Sequence, residues 1–148
     1  MKFLETYTVR GRVEHLTETR INLFDGKYDT GFRLVSFEIA PYNFVSGDTS
    51  TSLGRLATEN GLPLVRESFW DFNDTRQIGW AAINGENFEI YPEGSQSIVD
   101  RSKLIIEDMY ITCLNRGDVS TNYIAVFEKF KLEPFQGSLA IVQNRSQG

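Results

Sequence analysis

Cysteine and histidine occur once each in this chain, and those two scarcities remove much of the usual chemistry. Cys113 has no second cysteine to pair with, so an internal disulfide is excluded and folding in a reducing compartment is expected. Its neighbours Met109, Ile111 and Leu114 are apolar, which predicts a buried, inert thiol rather than a nucleophile. His15 has no histidine companion, so a multi-histidine metal site within one chain is excluded and neither metal nor cofactor is expected. Walker, GxGxxG and GxSxG patterns are missing as well. No apolar run approaches the ~20 residues that span a bilayer. The first six residues, Met1 to Thr6, lack a signal-peptide core because Glu5 and Thr6 interrupt it, which predicts synthesis in a cytoplasm.

Positive charge is also in deficit. The net charge of −5 repels phosphate at long range, so strong nucleic-acid binding is not expected. Arg10 and Arg12 share one side of a predicted strand and allow at most a weak contact, with a solvated strand face as the plainer reading.

What the sequence does have is aromatic residues and alternation. Eleven Phe, six Tyr and two Trp in 148 residues suit strands and interfaces, where flat rings bury much area at little rotamer cost. From Thr6 to Val13, Tyr7, Val9 and Val13 point one way and Thr8, Arg10 and Arg12 the other, with Gly11 on the apolar side as the mark of a bulge or a close approach. Arg20–Phe24 and Phe32–Ile39 read as the two arms of an antiparallel hairpin, with Val35, Phe37 and Ile39 on one face. Leu53–Thr58 reads as a helical turn or a short strand, residues 76–83 as a strand alternating through Ile78, Trp80 and Ala82, and Phe88–Tyr91 as a short strand. Lys103–Leu114 and Asn122–Leu132 read as long partner strands, the first with Ile105, Met109, Ile111 and Cys113 on one face, the second with Ile124, Val126, Phe130 and Leu132. Glu107 and Glu128 interrupt those faces and need an edge position or a basic partner. After Pro134 a short helix over Gln136–Gln143, or an extended tail, leads to a polar end at 144–148.

Together these features predict one all-β domain over residues 1–148, an antiparallel β-sandwich of jelly-roll type. Candidates for catalysis are few. Asp29-Thr30-Gly31 matches the aspartic-protease triplet, but Lys27-Tyr28 before it and Phe32 after it are poor context, and Asp and Gly are ordinary loop residues. Glu107-Asp108 and the pair Asp71 and Asp74 lack the dense oxygen spacing of a calcium loop. No catalytic residue is assigned and a non-enzyme is expected. Phe69, Trp70, Phe72 and Trp80 fit either core filling or a contact surface, and they stand with Arg145 as the candidate interface.

Several segments resemble small proteins encoded by marine bacteriophages: Asn22–Val35, Arg76–Ala81, Ser97–Arg101, Leu104–Tyr110, Asn122-Tyr123, Phe127–Phe130 and Asn144–Gly148. The likeness spans most of residues 20–148, and none of its segments is a chemical motif. It implies a virion structural protein, with a major capsid subunit that self-assembles into a symmetric shell as the preferred role. Its partners would be copies of itself and other virion proteins, and its place the virion after synthesis in the host cytoplasm. A cement, penton or tail-associated subunit, a carbohydrate-binding β-sandwich using Trp70 and Trp80 as a sugar platform, and an aspartic protease dimer remain as alternatives.

Overall fold

The computed structural model describes residues 1–24, 26, 28–42, 51–84 and 95–133. Among these residues eight strands follow one another: β1 (Lys2–Val13), β2 (Thr19–Ile21), β3 (Thr30–Pro41), β4 (Thr51–Ala57), β5 (Gln77–Asn84), β6 (Gln96–Val99), β7 (Met109–Asn115) and β8 (Thr121–Lys131). One 3-10 turn, Arg66–Ser68, is the only helical element among the described residues. The expected strand at 88–91, the helix at 136–143 and Arg145 lie outside the described residues.

The strands form two antiparallel sheets, β1-β8-β3 and β2-β7-β4-β5-β6. Both long hairpins expected from the sequence are corrected by this pairing. β2 pairs with β7 while β3 pairs with β8, so the segment between β2 and β3 passes from one sheet to the other. The tight turn at 116–118 does the same, since β7 and β8 belong to different sheets. Turn residues signal a reversal of the chain, but either a hairpin or a crossover satisfies it.

The inner faces of the sheets share one core. Leu34, Phe37 and Ile39 of β3 and Ala125 and Phe127 of β8 pack with Leu56, Ile78, Ala81, Ile83, Met109, Ile111 and Cys113 of the larger sheet. Close approach is visible at Gly79, where an added Cβ would lie 2.9 Å from Leu34 Cδ2 of the opposite sheet. Gly11, as its place on the apolar side suggests, lies under the Tyr123 ring, whose hydroxyl oxygen would sit 3.1 Å from a Cβ there.

Bulges alter the alternation elsewhere. A register shift between Leu34 and Ser36 puts Leu34 rather than Val35 in the core. A second, between Leu56 and Ala57, sends Ile78, Ala81 and Ile83 inward and leaves Trp80 on the other face. β7 starts at Met109, so Lys103–Asp108 is not strand, although Ile105 bridges to Phe32 and joins the expected face. In β8 the expected face is reversed: Ala125 and Phe127 are buried while Ile124 is exposed. Phe130 and Leu132 instead form a satellite cluster with Ile106 and Leu104. Glu128 is half-buried on the outer face with Thr6 and Arg33, its partners in register, so its carboxylate has a basic neighbour.

Candidate interaction surface

The outer face of the larger sheet is roofed by the segment from Thr58 to Arg76, and Arg55 holds that roof down. Arg55 lies mid-strand in β4, opposite Trp80 on one side and Thr112 on the other. Its guanidinium donates from Nη1 to the carbonyls of Pro63 at 2.6 Å and Phe69 at 3.1 Å, and its carbon lies 4.5 Å from the Phe69 ring centre. Burial pushes its pKa down, while the carboxylates of Glu18 and Asp74 pull it back up. The roof is tied at two further points. Trp70 Nε1 donates to the Gly54 carbonyl at 3.1 Å, and Gln77 Oε1 accepts both Trp80 Nε1 and the Asp71 amide at 2.9 Å each.

This geometry separates the four aromatic candidates. Phe69 is fully buried and Trp80 is 6% exposed, so both serve the interior. Trp70 is half-buried, whereas Phe72 is 63% exposed and stands edge-on against Trp80, with ring centres 4.8 Å apart and planes at 86°. Ile98 of β6, opposite Trp80 in register, is 44% exposed. Phe72 and Ile98 thus flank a buried indole and form an apolar patch that projects from the sheet. Of the pair named for a sugar platform, Trp70 is half-buried with its indole N–H tied to the Gly54 carbonyl, and Trp80 is nearly buried.

The remaining candidates are engaged in structural roles. Asp29 makes an ion pair with Lys131, its backbone carbonyl accepts the Leu132 amide at 2.7 Å, and Thr30 and Gly31 open β3. Asp108, outside any strand, accepts the amides of Leu23 and Phe24 at 3.1 and 3.2 Å and pairs with Arg20 at 2.6 Å. Asp71 accepts the Asn73 amide at 3.0 Å. Asp74 grips Arg76, whose hydrogen bonds hold the carboxyl below its ordinary pKa. His15 Nδ1 accepts the Asn115 amide at 3.0 Å, which leaves the Nε2 proton to face Asp118 at 3.1 Å. Among the described residues no three metal-ligating side chains gather. No described helix is long and apolar enough to cross a membrane.

Arg10 and Arg12 do share the outer face of the smaller sheet. Arg12 lies 4.3 Å from the ring centre of Tyr42, and Arg10 shares a shallow depression of about 260 Å³ with Glu38, Tyr123 and Ile124. A carboxylate in the same depression weakens its appeal to phosphate.

Sequence reasoning passed over Arg55, Gln77 and Asn115, and weighed Asp108 only as a calcium ligand. A charged residue between Gly54 and Leu56 in an otherwise apolar run was a signal for Arg55. The Asn115 side chain is fully buried, donates to Ser52 Oγ at 2.8 Å and accepts the Gly117 and Val119 amides at 2.8 and 3.3 Å. No known protein family, curated protein or solved structure matches this chain.

Proposed function

We propose that the chain is a virion structural subunit built on a single jelly roll, and that its work is to pack against copies of itself and neighbouring virion proteins. The strand pairing carries this reading. Folding a long hairpin and rolling it up pairs the first strand with the eighth, second with seventh, third with sixth and fourth with fifth. Here β1·β8, β2·β7 and β4·β5 are hydrogen-bonded ladders, and β8·β3 and β7·β4 are the contacts that rolling adds. β6 departs from the scheme by pairing with β5, but Ser97 Oγ donates to the Phe37 carbonyl and keeps β6 beside β3.

Jelly rolls of this kind serve viral shells and lectins, and a fold alone does not choose between them. Three features favour the shell. The aromatic patch offers an anchor for a protein neighbour, whereas Trp70 and Trp80, named for a sugar platform, are half-buried and nearly buried. The polar and charged side chains that sequence reasoning raised for catalysis are spent on backbone and ion-pair contacts. The phage resemblance points the same way, and the major capsid subunit is the role it favours. Closed shells reuse one interface many times, so each contact can be modest. Negative-stain microscopy of the purified chain tests the reading. Shells, sheets or rings support it; dispersed single molecules that bind glycans overturn it.

A further inference from the structure

We propose that the outer edge of β1 is a docking strand for β1 of a second copy, paired antiparallel about a two-fold axis at Thr8. The inference deepens the shell reading and rests on it. β1 is twelve residues long, ten of them exposed, and among the described residues it is hydrogen-bonded on one side only, to β8. Such an edge is a ready template for another strand. It has no proline.

The register follows from side-chain direction. A two-fold axis normal to the sheet keeps inner faces with inner faces, so each residue must meet one of the same facing. Centring on Thr8 sets Tyr7 against the partner's Val9, next to Phe127 and Ala125 in the rows behind them. Tyr7, 38% exposed and 5.8 Å from the Phe32 ring, would be covered. Centring one residue later would press Tyr7 onto Gly11, a place already filled by Tyr123.

On the outer face the same register brings Thr6 opposite the partner's Arg10. Thr6 lies beside Glu128 and then Arg33, whereas Arg10 lies beside Ile124 and then Glu38. Across the joint the charged side chains therefore read Arg33, Glu128, then the partner's Arg10 and Glu38. The signs alternate, and small Thr6 leaves the arginine a path to Glu128. The product is one continuous sheet of six strands, made twice over by the symmetry.

Thr8→Cys tests the register, because only there does a residue meet its own copy. Mild oxidation of the purified full-length variant should give a disulfide-linked dimer joined at residue 8, with loss of that product in Thr6→Cys. A second variant, Arg10→Glu on the exposed outer face, turns a carboxylate toward the partner's Glu128 and should weaken dimers while the thermal transition and far-UV spectrum stay close to those of the parent. Dimers or shells that form without crosslinking at residue 8 overturn this edge and leave the shell reading standing. A linked dimer that never grows further supports the edge and counts against the shell. A chain that stays monomeric, or one whose Thr8→Cys links to another segment, overturns the edge proposal.

Discussion

Replacing Gly79 with alanine probes the contact between the two sheets at its tightest point. The new methyl would lie 2.9 Å from Leu34 Cδ2 and 3.3 Å from both Cβ and Cδ1 of Leu56. Carbon atoms prefer about 3.5–4.0 Å. Neither leucine can swing into solvent, because both are fully buried. Overpacking of this kind costs about 1–3 kcal/mol. Alanine recovers about 0.5–1 kcal/mol of the backbone entropy that glycine loses in a strand. The net expectation is a loss of up to about 2.5 kcal/mol, centred near ~1 kcal/mol, which for a chain of this size lowers Tm by a few degrees. Leu34→Val costs about 1 kcal/mol on its own through the lost methylene. It also vacates the space the alanine needs, so the double variant should be no less stable than Leu34→Val. Urea titrations with a constant m-value measure the cycle. Additivity within about 0.5 kcal/mol would show that the two residues do not meet, and the shared core would lose its best evidence.

Three further outcomes follow from individual sites. Burial raises the Cys113 thiol from 9.0 to about 12, so the folded state keeps a proton that the unfolded chain gives up. Stability is therefore complete below pH 9 and falls by about 1.4 kcal/mol per unit toward pH 12, a limb that alkaline urea titrations should find missing in Cys113→Ala. Asn115→Ala strands the Gly117 and Val119 amides and takes one of its two partners from Ser52 Oγ, and should cost on the order of 3 kcal/mol in equilibrium unfolding. Phe69→Ala empties a buried site and should cost about 3–5 kcal/mol, whereas Phe72→Ala should cost about 1 kcal/mol or less by the same assay while weakening assembly.

The strands themselves were legible because alternation survives in β1 and β7, where Tyr7, Val9 and Val13, and Met109, Ile111 and Cys113, all face as their spacing requires. Partners were not legible. Asp25-Gly26 and Gly117-Asp118 mark reversals, but only the competition among faces for one core decides whether the chain returns beside itself or crosses to the other sheet. Bulges were hidden too, since one extra residue flips every side chain beyond it, as at Val35 and Ile78. β8 misled for a different reason. Its outer Phe130 is covered by Leu104, Ile106 and Leu132, while Ile124 stays exposed, so its sequence shows hydrophobes on both faces. Of the candidate interface, aromatic content located the right region, while the roof over Arg55 decided which rings stay outside. A sequence names the ring; the loop closure that buries Phe69 and exposes Phe72 depends on contacts fourteen and more residues away.

Sedimentation velocity of the untagged chain across a wide concentration range tests the central claim most directly. A subunit made to tile a surface should leave the 16.9 kDa monomer behind as concentration rises, passing through dimers to much larger species. A single 16.9 kDa boundary at every concentration would contradict it.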